Sequence, residues 1–527
     1  MRRFAAKTVA VIGIIVMLAV TVAVPASAIS ATPYEGYNYD PYGVATASPV
    51  GYLPNGTIDY TDMGLETPLK APEDLFVYND KEIWIADTKN NRVVLLDSNY
   101  KFVREYTSFV TEDGTEYPLT EPQCVYVKRN EKEEYDEIFV CCSVTIKDEA
   151  GKDKKDGYVV TADYSGTVKH IYRNPNDPIA NIKDYQPLGV VADNSGYVYV
   201  LAYGVLDGLI VYKYDTGEFT TFYGANKVVL TWKLIVQQTW KKIFSREAAD
   251  TMIRAVPTEM SNIFIDNEGF IFTTTETETV EKDLRVRKLN ATGANTLRGD
   301  ANALVDVVFG DRESGVVVAG GGRSKSDTRL TDITVNDAGI MACLDSERSR
   351  VYIYDQTCML LTTFGYKTSG NIPDGAVSNP SAIGAMGDNY LILDADRGAI
   401  VAYRPTDYLY MLLEANEYYT DGYYIEGEPY WRNVLKYDAN FSRGYAAVGK
   451  SLQEQHKYEE SLNWLKQGQD RTAYSLALAE YRKEYLRDNY WWLVPVAAVA
   501  VVLFVMIIRY IQKLLGIKKK AKRIKFS

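Results

Sequence analysis

Apolar and polar positions alternate in short runs between about residue 65 and residue 405, and the runs return in one order. Pro72-Glu73-Asp74-Leu75 opens a first run; a turn leads to Ile83-Trp84-Ile85-Ala86-Asp87, and a third run follows at Val93. The order returns at Pro122-Gln123-Cys124-Val125, Pro187-Leu188-Gly189-Val190, Met260-Ser261-Asn262-Ile263, Leu330-Thr331-Asp332-Ile333 and Pro380-Ser381-Ala382-Ile383. Alternation with a period of two predicts strands. Six units predict a closed six-bladed propeller, because a repeat of this size buries its apolar face only against its neighbours. The spacings exceed the about 40–45 residues of a minimal four-stranded blade, so the blades carry loop insertions.

Turn chemistry supports the same reading. Asp193-Asn194-Ser195-Gly196, Asp266-Asn267-Glu268-Gly269 and Asn336-Asp337-Ala338-Gly339 separate first from second strands. In each, the Asx side chain caps its own turn and the glycine supplies a positive φ. After Tyr403-Arg404-Pro405 the pattern turns helical and leaves the sixth blade one strand short. A strand from within Gly51 to Thr61 is expected to complete it and close the ring.

Two insertions stand out. Lys147 to Gly157 is a charged hairpin tip, expected to be solvated. From Asn226 to Val256, Trp232, Val236, Trp240, Ile243 and Phe244 recur at helical spacing with Lys233, Lys241, Lys242 and Arg246 between them. Such a helix either docks on a propeller face or, through Trp232, Trp240 and Phe244, touches the bilayer or a membrane partner.

Three resemblances follow from particular runs. Asp87-Thr88-Lys89-Asn90-Asn91-Arg92-Val93, with looser copies at Asp345 to Val351 and Asp394 to Ile400, resembles the NHL repeat family over about residues 65 to 405. That resemblance implies six blades and a hairpin-fixing role for Asp87 and Arg92. Tyr445 to Leu452 followed by Tyr458 to Gly468 resembles a tetratricopeptide repeat, with Gly449, Ser461, Leu465 and Gly468 at that family's small, small, large and small positions. The propeller is also similar to gluconolactonase-type enzymes, whose Glu-Gly-Pro signature is replaced here by Ala71-Pro72-Glu73.

Both chain ends read as membrane-related. Residues 1–28 carry Arg2, Arg3 and Lys7, an apolar run from Thr8 to Val24, and Ala26-Ser27-Ala28. This is the pattern of a cleaved signal peptide, with an uncleaved signal anchor as the alternative. Asn489 to Ile508 contains no charged residue, and about 20 residues at about 1.5 Å each span about 30 Å, enough for a hydrocarbon core. The basic tail 509–527 then places itself in the cytoplasm and the propeller outside. The expected order is a signal peptide 1–28, a tyrosine-rich segment 29–64 with the closing strand, the propeller 65–405 with its insertion 226–256, a helical tetratricopeptide-like stalk 406–488, a transmembrane helix 489–508, and the tail.

Charge and composition narrow the chemistry. The chain carries a net −11, while both end segments hold basic residues and no acidic ones. The part between them is therefore more acidic still, which argues against nucleic acid as a partner. Five cysteines are an odd number for an oxidising compartment. Cys124 and Cys141 fall on strands expected to be neighbours, so one bond between them is open, although buried free thiols are the favoured reading. Two histidines with no paired spacing argue against a transition-metal site. Tyrosines number 42 against 16 phenylalanines, concentrated at Tyr34, Tyr37, Tyr39, Tyr42 and Tyr52 and again from Tyr418 to Tyr430. Their rings suit a carbohydrate ligand, or the gluing of an extended segment onto a domain.

Two functions from different classes remain. The first is a non-enzymatic, membrane-anchored binding or scaffold module, held in lipid by its C-terminal helix and working with protein partners. Its resemblance to exported NHL-type proteins of Gram-positive bacteria implies an accessory role near membrane transport machinery. The second is a lactonase-like hydrolase of the gluconolactonase type, for which the resemblance implies one divalent cation, calcium, held by Glu, Asn and Asp oxygens. The inner strands begin at Asp74, Cys124, Gly189, Asn262, Asp332 and Ala382. Asp74, Asn262 and Asp332 are thus the candidate binding residues at the channel mouth.

Overall fold

Six sheets are built from the alternating runs. The computed structural model describes residues 32, 34–130, 135–147, 153–175, 182, 184–224, 260–276, 285–299, 306–312, 316–318, 322–324, 328–368 and 373–515. The segments 1–28, 226–256 with Trp232, Trp240 and Phe244, and the end of the basic tail lie outside the described residues. The chain divides into two compact units, Met1–Tyr410 and Met411–Ser527.

The first unit is a six-bladed β-propeller. Its inner strands are Asp74–Tyr78, Pro122–Asn130, Pro187–Ala192, Asn262–Ile265, Leu330–Val335 and Pro380–Met386. Each inner strand packs beside the next, and the sixth returns to the first. Blades 1, 2, 3 and 5 are four-stranded antiparallel meanders in chain order, and three strands of blade 4 are described. In blade 6 the fourth strand is Tyr52–Ile58. It pairs antiparallel with Ala399–Pro405, from Tyr52 opposite Pro405 to Ile58 opposite Ile400, with a bulge between Pro54 and Thr57. The N-terminal segment thus closes the ring as expected, and Pro54 is tolerated because it lies on an outer edge strand.

The core lies between blades, because both faces of every blade are covered. Trp84, Val93 and Leu95 of blade 1 pack on Val125, Ile138 and Val160 of blade 2. Ile83 and Ile85 on the opposite face pack on Leu391, Leu393 and Ile400 of blade 6. Blades 5 and 6 meet through aromatic rings, with Phe364 4.5 Å from Tyr52 and 4.8 Å from Tyr403. Upstream of the closing strand, tyrosines act as glue. Tyr34 donates to the Tyr52 carbonyl at 2.8 Å, and Tyr37 hydrogen-bonds Asp311 of the blade 4 to blade 5 connection.

The second unit is helical. With a short helix α1 (Tyr60–Met63) in the first unit, the later helices are α2 (Asp407–Thr420), α3 (Tyr424–Tyr437), α4 (Ser442–Glu454), α5 (Tyr458–Gln467) and α6 (Arg471–Leu514). Helices α4 and α5 approach closely where the small residues were noted. A Cβ on Gly449 would lie 2.6 Å from Leu465 Cγ, and one on Gly468 would lie 2.4 Å from the Ala446 nitrogen. Ser461 donates to the Gly449 carbonyl at 2.8 Å. Helix α6 starts where Asp470 accepts the Ala473 N–H at 2.9 Å, and it runs on through the apolar stretch without interruption. Pro495 therefore sits in the helix interior and not in a first turn, costing one backbone bond in mid-helix. By length and composition α6 can cross a membrane, and none of its apolar window is buried against the rest of the chain.

Candidate functional site

The inner strands all begin at one end of the propeller, and four of them begin with a bulge. Register shifts fall between Pro122 and Cys124, Pro187 and Gly189, Leu330 and Asp332, and Pro380 and Ala382. Each bulge rotates the next side chain out of the ladder, which aims Asp332 sideways at the following blade. Asp332 Oδ1 accepts its neighbour Ile333 N–H at 2.7 Å, and Oδ2 accepts the Ile383 N–H of blade 6 at 2.6 Å. Asp74 does the same from blade 1, accepting Leu75 and, across to blade 2, Val125, each at 2.9 Å. Asn262 of blade 4 turns its oxygen to the Ile263 N–H and its amino group to Asp332 Oδ1 of blade 5, each at 2.5 Å.

The three candidate residues therefore do come together in one ring, and each clips its own blade to the next. Hydroxyls just outside add a second set of clips. Ser381 donates to Pro72 O at 2.8 Å, Thr88 to Pro122 O at 2.7 Å and Ser261 to Leu330 O at 2.9 Å. Trp232, Trp240 and Phe244 lie outside the described residues and take no part in this geometry.

Burial sets the electrostatics. The Asp332 carboxyl is pushed well above the usual carboxylate range, first by burial and then by the charge of Asp74, against the downward pull of the Ile383, Ile333 and Asn262 hydrogen bonds. Asp74 is raised by burial too, with the Val125 N–H, the Cys124 thiol and the Leu75 N–H opposing. Beside it the Cys124 thiol is pushed well up by its contact with Cys141 and by burial. Cys124 and Cys141 sit directly opposite one another as free thiols.

These donors do not fit a resident divalent cation. A hard cation takes about six to eight oxygens at about 2.3–2.6 Å. Here all four carboxylate oxygens already accept N–H groups, and the only amide presents nitrogen, a donor, toward Asp332. Among the described residues no group of three or more His, Cys, Asp or Glu side chains converges.

The hairpin between second and third strands carries the Asp-Arg pair. Asp87 is fully buried, accepts the Lys70 N–H at 2.7 Å and pairs with Arg92 Nε at 2.7 Å. Asp345 binds the Arg329 N–H at 3.1 Å and Arg348 Nη1 at 3.2 Å, and Asp394 binds the Ser378 N–H at 2.8 Å. These residues hold the incoming strand of their own blade, a structural role. No motif singles out Arg285 and Arg287 of blade 4, which are nevertheless buried near the same end of the ring.

No family model and no curated protein sequence matches the chain. Among solved structures it is similar to a protein of unknown function from Bacteroides thetaiotaomicron, at 10% identity over 71% of this chain and 76% of that one, with a TM-score of 0.40. It is similar to a streptogramin B lyase at 13% identity over 68% and 98%, with a TM-score of 0.37. A calcium-binding regucalcin from Agrobacterium tumefaciens matches at 10% identity over 68% and 95%, also with a TM-score of 0.37. Likenesses at this level carry no argument about chemistry.

Proposed function

We propose that the chain is a membrane-anchored propeller that works as a binding or scaffold module, accessory to a membrane assembly or transport system, with protein partners at the membrane. The observation that carries this reading is the contrast between the two ends of the molecule's chemistry. The polar groups at the channel mouth are committed to holding blades together, while α6 exposes an apolar surface long enough for a bilayer. Under this reading the tetratricopeptide-like pair α4 and α5 is a spacer, the propeller is NHL-type and exported, and the insertion with Trp232, Trp240 and Phe244 meets lipid or a partner.

The test compares two outcomes on the full-length protein in lipid nanodiscs. Stoichiometric co-purification of one membrane partner, retained in Asp74→Ala and Asn262→Ala, supports the scaffold reading. Calcium-dependent lactone hydrolysis that is abolished by Asp332→Ala would replace it with the hydrolase.

A further inference from the structure

Blade 4 carries a group of buried polar side chains, several of whose hydrogen-bonding atoms find no partner among the described residues. Arg287 lies directly opposite Thr273 in the ladder, and the Thr275 N–H donates to the Arg285 carbonyl at 2.9 Å. Residues two apart in a strand share a face, so Arg285, Arg287, Thr273 and Thr275 all project to one side. Ile271 and Leu289 on that same side pack against Leu201 and Leu209 of blade 3. The four polar groups therefore lie between blades 3 and 4.

All four are withdrawn from water: relative exposure is 1% for Arg285, 5% for Arg287, 0% for Thr273 and 1% for Thr275. Arg287 Nη1 donates to the Gly224 carbonyl at 3.0 Å. Among the described residues, Arg285 Nε and Nη1, Arg287 Nε and Nη2, and both threonine hydroxyls have no hydrogen-bond partner. The other buried guanidiniums of this propeller are paired, Arg92 with Asp87 and Arg348 with Asp345. Among the described residues, the nearest carboxylate along the chain, Glu276, is engaged with Arg329 of blade 5 at 2.9 Å. Burial lowers the Arg287 guanidinium to about 10, which still leaves it cationic at neutral pH.

Two desolvated cations side by side, with no counter-charge among the described residues, are unfavourable unless an anion joins them. A guanidinium offers only donors, in a fork that matches two oxygens of a carboxylate or phosphate. We propose that Arg285, Arg287, Thr273 and Thr275 form a binding site for a small oxoanion, the phosphate or carboxylate group of a ligand seated between blades 3 and 4. This goes beyond the scaffold reading and does not depend on it. The site is separate from the channel-mouth carboxyls and takes a ligand of opposite charge to a metal.

The test titrates full-length protein in nanodiscs with inorganic phosphate and, separately, malonate, in chloride buffer of constant ionic strength, following melting midpoint and heat of binding. A saturable rise with phosphate alone identifies a phosphate ligand, and one with malonate alone a carboxylate. Arg285→Lys keeps the charge but loses the fork, so binding should weaken by about tenfold or more. The double variant Arg285→Met, Arg287→Met fills the space without charge and should abolish the response. No saturable response to either anion, or a response that survives the double replacement, overturns the proposal. Should the double variant fail to fold, unchanged binding by Arg285→Lys overturns it equally.

Discussion

At the residue scale, the hairpin between second and third strands shows one conformational demand met three times. The residue before the third strand has a positive φ in blade 1 (Asn91, 54°), blade 5 (Ser349, 50°) and blade 6 (Gly398, 57°). Glycine takes this conformation freely, whereas serine pays for its Cβ. Ser349 is also fully buried with an unpartnered hydroxyl. Ser349→Gly should therefore stabilise the propeller by about 1 kcal/mol, read as a raised melting midpoint. Asn91→Gly should not, because the Asn91 side chain accepts the Glu121 N–H at 2.8 Å. A second prediction concerns pH. Because Asp332 is held above the usual carboxylate range by burial and by Asp74, the folded chain keeps a proton that the unfolded chain releases. Its contribution to stability is full below the ordinary value of about 3.9 and is lost as pH rises through the raised folded value. Asp74→Asn removes the neighbouring charge together with Asp74's own raised carboxyl, so the loss of stability as pH rises above the ordinary carboxylate range should be smaller than in the wild type. Equal slopes in thermal melts of the two proteins would show that Asp74 neither titrates with folding nor acts on Asp332. The Asp87 and Arg92 pair was legible as a motif because the two residues lie close in sequence. Arg285 and Arg287 were not, because charged residues alternating with apolar ones ordinarily mark a solvated strand face. Only the closed ring, which covers both faces of a blade, makes that alternation a sign of buried cations.

At the element scale, the strand starts were readable because each leads into an apolar run, four of them from a bulge, and the positions facing the next blade repeat with it. The fourth strand of blade 6 was readable only by what it lacked, since Tyr52–Ile58 is separated from its partner Ala399–Pro405 by the whole propeller. Helix α6 was harder to delimit. Nothing between its Asp470 cap and Leu514 stops it, and Pro495 removes a single bond from a helix of 44 residues. The closure makes its own prediction. Deleting residues 29 to 62 removes the strand that covers Ala399–Pro405, together with Tyr52, whose ring lies 5.2 Å from Tyr390 and against Phe364. The bared edge strand would then present unpaired backbone groups to other chains. Such a variant should melt at a lower temperature than the parent and aggregate on heating. An unchanged melting curve would mean that the ring holds without its clasp.

At the scale of the whole molecule, a propeller followed by a helical region with one long apolar helix was legible and the ligand was not, because a propeller's architecture follows from repetition while its function sits in a few side chains whose neighbours come from distant repeats. The proposed membrane arrangement rests on charge. Helix α6 carries Arg487 and Asp488 on one side of its uncharged stretch and Arg509 on the other. Beyond Arg509 every charged residue is Lys or Arg. Translocating that tail would carry its whole positive charge across the bilayer, whereas keeping it inside leaves only the acidic bulk of the chain to be exported. Protease added to intact cells should therefore remove the propeller and leave an epitope tag at the C-terminus protected until the membrane is permeabilised. Replacing Lys518, Lys519, Lys520, Lys522, Arg523 and Lys525 with glutamine should erode that bias and leave a measurable fraction of the tag open to digestion from outside. A tag cleaved in intact cells carrying the unaltered chain would reverse the topology, and with it the proposal that the propeller meets its partners outside the cell.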